Sequence, residues 1–477
     1  MPLLLLANRA PVRATPEGWV PALGGLASAL LPVLEDRRGG AWVAMRAPGE
    51  SDPEVQPWPS PEAATLTIQR IPLGEEEYAH YYQGMANRVL WPLAHYLVDH
   101  VEPDRVFREA YRAVNRRFAE TALALAPPEN HPDAAATRFW VQDYHLMLVP
   151  EQLRAARPDA RIGHFWHIPW PAPEVFRILP AARELLRGML GADLVGFHTE
   201  GYAENFRAAA RDLLGARVRG VDIAWEGRTV RAEAHPIGID AESFRAYTDA
   251  PAIVAEARAF REAIGVDHLV LGVDRLDYTK GLLLRLDAFE RFLENNPDFH
   301  GRVTLLQVAT PSRTGVPAYD QLKRDVDEAV GRINGRFAQN AWTPVQYRYR
   351  AYPPDELAVL YRSADVGLVT PLRDGMNLVA HEYAAVSEGG ALVLSELTGA
   401  ADYLEGALLV NPYDTDGLAE RLREAIEMPV EERRRRLASM RAAVQRLNVH
   451  AWATGFLEAL EAVPAPGAPR SEAPLPA

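Results

Sequence analysis

Of the 51 basic residues in this chain only Lys280 and Lys323 are lysines, so a lysine inside a polar loop calls for a chemical explanation. The stretch Gly272-Val-Asp-Arg275-Leu-Asp-Tyr-Thr-Lys280-Gly281 sets two cations five residues apart, between a predicted strand and a helix starting near Gly281. Fixed cations beside a helix N-terminus suit a leaving diphosphate, on which charge grows as a glycosidic bond breaks. They can take the place of a metal ion. Lysine supplies a compact point charge and arginine a planar fork. The blander reading is a solvated loop paired with Asp274 or Asp277.

A second segment, Thr370-Pro-Leu-Arg-Asp374-Gly375-Met376-Asn377-Leu378-Val-Ala-His-Glu382-Tyr, reads as strand, loop and helix. The first amides of such a helix are available to phosphate or sugar oxygens. Asp374 can accept hydrogen bonds from sugar hydroxyls, and Glu382, one turn beyond Leu378, can accept both hydroxyls of a ribose. An ordinary helix N-cap is the alternative for Asp374, and a surface position the alternative for Glu382.

In the first half, Asn8 and Arg9 follow the opening strand, and Gly24-Gly25-Leu26 precedes a helix, where glycine permits close approach of backbone to a ligand. Tyr82, Trp91 and Arg313 offer phenol, indole and guanidinium donors for a phosphate, although buried aromatic packing is the commoner use of Tyr and Trp. Asp143 can orient an acceptor hydroxyl, and His167 can bind the donor sugar or shape its site. His145 reads equally well as structural.

These residues must be held by something regular. Short apolar runs (Leu3 to Ala7, Phe139 to Gln142, Ile162 to His167, Leu194 to Phe197, His268 to Val273, Val303 to Ala309, Val366 to Thr370, Ala391 to Leu394) alternate with helical patterns. Among the latter are Arg105 to Ala124, Pro173 to Leu190, Ala241 to Ile264, Leu282 to Leu293 and Pro317 to Phe337. The alternation predicts an α/β protein with two Rossmann-like doubly wound domains facing a cleft, ligands sitting beyond the carboxyl ends of the strands. Turn signals at Ala234 to Asp240 place the boundary, giving an acceptor-side domain over 1–238 and a nucleotide-sugar domain over 239–440. A helical segment, 441–463, is expected to return to the first domain, and the Pro- and Ala-rich tail 464–477 to be disordered.

Composition removes other classes. A formal net charge of −13 gives no general attraction for nucleic acid or an anionic membrane. No apolar run approaches the roughly 20 residues of a spanning helix, and no secretory leader is evident, so cytoplasmic residence is expected. Cysteine is absent. Asp325-Val-Asp327 and Asp414-Thr-Asp416 match the loose Asp-x-Asp pattern of metal-dependent transferases, but the first lies in a helical pattern and Asp416 reads as a helix cap, so no metal or cofactor is expected. The phosphate-loop, zincin and Gly-x-Ser-x-Gly patterns are missing.

Between Leu3 and about Leu460 the chain closely resembles trehalose 6-phosphate synthases, retaining glucosyltransferases of the two-domain GT-B architecture (family 20). The likeness is carried by Tyr81-Tyr82, Val89-Leu-Trp91-Pro92, Asp143-Tyr-His-Leu, His167-Ile-Pro169, Gly238-Ile-Asp240, Arg275-Leu-Asp-Tyr-Thr-Lys280-Gly281, Gly331-Arg-Ile-Asn-Gly-Arg336 and Asp365 to Val379. The resemblance implies glucosyl transfer from a nucleotide glucose, usually UDP-glucose, to glucose 6-phosphate. It further implies Arg275, Lys280, Asp143 and His167 as the catalytic set. Gly25, Arg275, Lys280, Asp374, Gly375, Met376, Asn377, Leu378 and Glu382 would hold the donor, and Arg9, Tyr82, Trp91, Asp143 and Arg313 the acceptor. The sequence departs from the family at Ala44 to Ala47, where Gly-Trp-Ser-Gly is common, at Trp170 and at His381. The first of these leaves open a sister transferase using another phosphorylated acceptor such as glycerol 3-phosphate, and a noncatalytic sugar-phosphate sensor is the rival of a different class. No phosphatase segment follows in the sequence, so a separate trehalose-phosphate phosphatase is the expected pathway partner, and self-association into a homo-oligomer is left open.

Overall fold

The computed structural model describes residues 3–15, 18–21, 30, 40–50, 67–128, 130–313 and 316–464. The chain forms two compact units, Met1–Pro236 joined by Trp452–Ala477, and Ile237–Ala451.

The first unit is built on a nine-stranded sheet running, in spatial order, Thr67–Pro72, Ala41–Arg46, Leu3–Leu6, Arg138–Gln142, Arg161–Phe165, Leu194–Phe197, Arg228–Ala234, Asp222–Trp225 and Arg217–Arg219. The first seven are mutually parallel, and the last two are joined on through antiparallel pairings. Counted along the chain, its first six strands take the order 3-2-1-4-5-6 of a doubly wound sheet, so the direction of winding switches between Leu3–Leu6 and Arg138–Gln142. Leu3–Leu6 is buried along its whole length, as expected of a parallel strand covered on both faces. The three strands after residue 216 set polar residues between their apolar ones, which hid them from a search for apolar runs.

The second unit repeats the order in six parallel strands, Val345–Arg348, Val303–Thr310, His268–Arg275, Val366–Val369, Ala391–Ser395 and Leu408–Val410. Its switch lies between His268–Arg275 and Val366–Val369, the two strands that lead into the segments richest in candidate site residues.

Proline divides two helices that the periodicity predicts as continuous. Pro173 to Leu190 forms Pro173–Phe176 and Ala182–Met189, and Ala241 to Ile264 forms Ala241–Thr248 and Pro251–Ile264. Proline lacks the amide needed within a helix and fits its first turn. The return to the first unit also differs from expectation. Val430–Arg446 stays with the second unit, and the return begins at Trp452 within the helix Val449–Ala462. The Trp452 and Phe456 rings lie 5.2 and 5.0 Å from Trp140. Gly163 and Gly196 make room for this helix, since a Cβ on either would come within 2.7 Å of the Phe456 ring. The tail from residue 465 lies outside the described residues. Among the described residues no helix is long and apolar enough to cross a membrane.

Candidate active site

In the second unit the chain leaves His268–Arg275 through a single 3₁₀ turn, Tyr278–Lys280, and enters the helix Leu282–Asn295 through Gly281. Gly281 has φ +66°, and a Cβ there would lie 2.5 Å from the Thr370 carbonyl oxygen. Any other residue must strain the backbone and push the two site loops apart. Gly281→Ala is therefore expected to cost about 1–3 kcal/mol of stability, read as a lower midpoint in denaturant unfolding; an unchanged midpoint would contradict the packing described.

The same turn brings Lys280 to Asp374. Lys280 Nζ forms an ion pair with Asp374 Oδ2, and Asn377 Nδ2 donates to the same oxygen at 3.0 Å. Asp374 is thus not the helix cap. That position is taken by Asn377, with φ +77° and its Oδ1 accepting from Ala380 N at 3.3 Å. The N–H groups of Leu378 and Val379 are left without an intrahelical acceptor at the start of Leu378–Val386. Backbone hydrogen bonds hold the loop from behind, Gly399 N to Asp374 O at 3.2 Å and Ala400 N to Met376 O at 2.9 Å.

Arg275 is the last residue of its strand, about half exposed, with its guanidinium 3.7 Å from Asp277 Oδ2. The blander pairing with Asp277 therefore does occur for Arg275, whereas Lys280 reaches across to the neighbouring loop. Arg313, placed by sequence with the acceptor residues, belongs to the second unit and donates to Asp277 Oδ2 at 3.0 Å. Burial alone would raise the Asp277 carboxyl; Arg313, Arg275 and Lys280 outweigh it and hold the group well below the usual carboxylate range.

Sequence reading passed over Arg285. Its side chain is fully buried on Leu282–Asn295, paired with Asp274, and donates to Gln307 Oε1 and Thr370 Oγ1, each at 2.9 Å, and to the Lys280 carbonyl at 3.3 Å. One guanidinium thereby fastens the ends of three neighbouring strands to the Lys280 turn.

Glu382 lies on Leu378–Val386 and accepts from Tyr361 Oη at 2.7 Å. Burial pushes its carboxyl up to about 7, with the Tyr361 hydrogen bond pulling part of the way back. If Glu382 accepts ribose hydroxyls, the ionised form binds, and a proton must leave before binding below pH 7. Nucleotide-glucose affinity is then expected to strengthen up to about tenfold from pH 6 to pH 8, measured by calorimetry with a nucleotide glucose, whose diphosphate diester does not titrate in that range. Glu382→Gln should flatten the profile; a steep profile surviving that change would contradict the assignment.

In the first unit, Asn8 and Arg9 follow Leu3–Leu6 at the switch. Tyr81 Oη donates to Asn8 Oδ1 at 3.0 Å, Arg9 Nη2 donates to Tyr82 Oη at 2.9 Å, and Met45 N donates to Asn8 O at 3.2 Å. The departing segment at Ala44 to Ala47 therefore borders Asn8 and Arg9 directly. Tyr81 and Tyr82 lie in Ala79–Leu90, a helix wound with i→i+5 hydrogen bonds, a winding often found at functional sites. The Tyr82 ring stacks 5.9 Å from His145, and the buried Trp91 lies 5.9 Å from Tyr144. Arg9, Tyr82 and Trp91 thus gather around the loop that follows Asp143.

Asp143 has φ +68°, a costly conformation for a residue with a side chain. It is held by Asp143 N donating to Phe165 O at 2.6 Å and by His167 N donating to Asp143 Oδ1 at 3.1 Å. Asp143 and His167 are brought together, and His167 Nε2 lies 2.8 Å from Gln142 Oε1. Burial, with His198 and His164 nearby, holds His167 well below its ordinary value, so it is neutral at pH 7. His145 supports the loop, its carbonyl accepting from Asn115 Nδ2 at 3.0 Å. Gly25 lies outside the described residues.

The Asp-x-Asp pairs are engaged elsewhere. Asp325 accepts from Gln321 at 2.6 Å and Asp327 pairs with Lys323, all on Pro317–Phe337. Asp414, rather than Asp416, caps Thr415–Glu427 by accepting from Gly417 N at 2.9 Å, the reach a cap requires. Asp416 pairs with Arg291 at 2.9 Å.

Two doubly wound sheets, each with polar side chains gathered beyond its switch strands, and a lysine, aspartate and arginine group on the second, define a glycosyltransferase of the two-domain GT-B class. The chain belongs to glycosyltransferase family 20, which it matches over residues 7–462. It is 43% identical over 474 residues to a trehalose-6-phosphate synthase of Mycobacterium marinum, covering 96% of this chain and 93% of that one. It is 40% identical over 476 residues to a bifunctional trehalose-6-phosphate synthase/phosphatase of Thermoproteus tenax, with 96% of this chain matched but only 63% of that longer protein. Among solved structures it is similar to a UDP-forming α,α-trehalose-phosphate synthase of Burkholderia xenovorans in complex with glucose-6-phosphate (TM-score 0.86, 37% identity, 97% of this chain and 100% of that one). It is likewise similar to the Escherichia coli protein bound with UDP-2-fluoro glucose (TM-score 0.87, 34% identity, 98% and 100%).

Proposed function

We propose that this chain transfers glucose, with retention, from a nucleotide glucose, UDP-glucose first among them, to glucose 6-phosphate, releasing α,α-trehalose 6-phosphate and the nucleoside diphosphate. The observation that carries this reading is the Arg275, Lys280 and Asp374 group beyond the switch strands of the second sheet, in a chain whose relatives bear that activity in their names. Arg275 and Lys280 take up the charge of the departing diphosphate. Asp374 and the loop from Gly375 to Leu378 hold the glucosyl hydroxyls and phosphate, and Glu382 the ribose. Gly25, Asp143 and His167 contact the sugars, while Arg9, Tyr82, Trp91 and Arg313 hold the acceptor phosphate.

The acceptor hydroxyl oxygen bonds to the glucosyl anomeric carbon on the face from which phosphate departs, and its proton passes to the departing phosphate oxygen. With no second covalent step, the protein's part is positioning and charge stabilisation. No metal or cofactor takes part. Neutral His167 supplies hydrogen bonding without adding charge beside the forming bond. Both substrates are charged and do not cross a lipid bilayer unaided, which supports a reaction in the cytoplasm, with a separate phosphatase acting on the product.

The deciding experiment incubates the protein with several nucleotide glucoses and a panel of phosphorylated acceptors in chelator. Trehalose 6-phosphate is the expected product. A glycerol 3-phosphate product instead would overturn the acceptor assignment, and loss of activity on chelation would overturn the metal-free chemistry.

A further inference from the structure

Asp277 does two jobs with two oxygens. Its Oδ1 accepts from Thr279 N at 3.1 Å and Thr279 Oγ1 at 2.9 Å, building the turn that carries Lys280. Its Oδ2 faces Arg313 at 3.0 Å, Tyr319 Oη at 3.3 Å and Arg275 at 3.7 Å. The carboxylate is fully buried, Arg313 is 6% exposed, and Arg275 is 46% exposed. Tyr319 also contacts the Arg313 guanidinium, so that cation is gripped from two sides.

We propose that Asp277 is a positioning residue that sets Arg275 and Arg313 at a fixed separation from one shared oxygen, and so sets the donor diphosphate relative to the acceptor phosphate. This rests on the roles given above to those two arginines. Two guanidinium groups and one carboxylate leave a single net positive charge, so Asp277 weakens the attraction of the site for anions while fixing where they sit. Positional error of about 1 Å is enough to cost on the order of 100-fold in rate, whereas removing a buried negative charge next to an anion site favours anion binding.

Asp277→Asn keeps an oxygen for Thr279 and replaces the shared oxygen by an amide that repels both cations. The expected result is a fall in kcat of about 100-fold, with UDP affinity by calorimetry unchanged or tighter. Thr279→Val, which removes only the hydroxyl bond on the turn side, should lose less than about tenfold in kcat on the same scale. A kcat for Asp277→Asn within about threefold of the wild type would overturn the proposal, as would weaker UDP binding matched by Thr279→Val, because Asp277 would then merely shape the turn. Should Asp277→Asn fail to fold, Tyr319→Phe carries the test. It takes one donor from the shared oxygen and one grip from Arg313, and is expected to lower kcat about three- to tenfold with UDP affinity retained; an unchanged kcat would overturn the proposal. Wild-type turnover of UDP-glucose with glucose 6-phosphate is measured alongside. Its absence would sink the functional reading, whereas its presence with an unaffected Asp277→Asn sinks this inference alone.

Discussion

Lys280→Ala is expected to lower kcat by about 10² to 10³, the scale on which removing one preorganised charge-stabilising donor acts, while the KM for glucose 6-phosphate stays within about threefold. Lys280 is nearly buried and already paired with Asp374, so its contribution to ground-state binding is offset by the ion pair it must share. In the proposed reaction its contribution grows as the glycosidic bond breaks and negative charge moves onto the diphosphate, and only interactions that strengthen toward the transition state raise kcat. Removing it also takes away the cation paired with Asp374 Oδ2, the oxygen to which the Asn377 amide donates. Steady-state kinetics with both substrates varied is the measurement; a near-normal kcat with a raised acceptor KM would point to a role in acceptor binding instead.

Arg285→Met carries the second large effect, this time through the scaffold. Met is close to Arg in length but takes from Asp274, which is 2% exposed at its side chain, the cation it pairs with among the described residues. Breaking a buried pair from one side costs about 3–5 kcal/mol, and here it also releases Thr370 Oγ1 and the Lys280 carbonyl. Equilibrium unfolding should show the loss, and kcat should fall with it because the Lys280 turn is no longer tied to the strand ends. A double change, Arg285→Met with Asp274→Leu, removes the stranded carboxylate and should recover much of the stability but not the rate. Recovery of both would show that the pair serves stability alone.

Much of this arrangement was legible in residue order. Parallel strands buried on both faces appear as unbroken apolar runs, so Leu194–Phe197 and Val303–Thr310 were readable to within a residue, and the polar residues after them follow from where such sheets bind ligands. Edge and antiparallel strands such as Asp222–Trp225 were not readable, because their exposed faces break the apolar run. The roles of Asp277 and Arg285 escaped for a different reason: each acts through partners distant in sequence. Arg285 did leave a trace. It sits at the buried-face spacing of Leu282, Leu286 and Phe289, and a charge on an apolar stripe must have a partner inside the fold. Arg313 was an expected phosphate ligand from its type and from the family resemblance; that it shares Asp277 with Arg275 depends on the pairing of Val303–Thr310 beside His268–Arg275, a long-range fact.

In the proposed reaction cationic side chains, rather than a bound ion, receive the charge of the departing nucleotide. A crystal structure with UDP grown in chelator tests this most directly. The guanidinium of Arg275 and Nζ of Lys280 should lie within about 3.2 Å of diphosphate oxygens; a diphosphate bound with both side chains directed away from it would contradict the account.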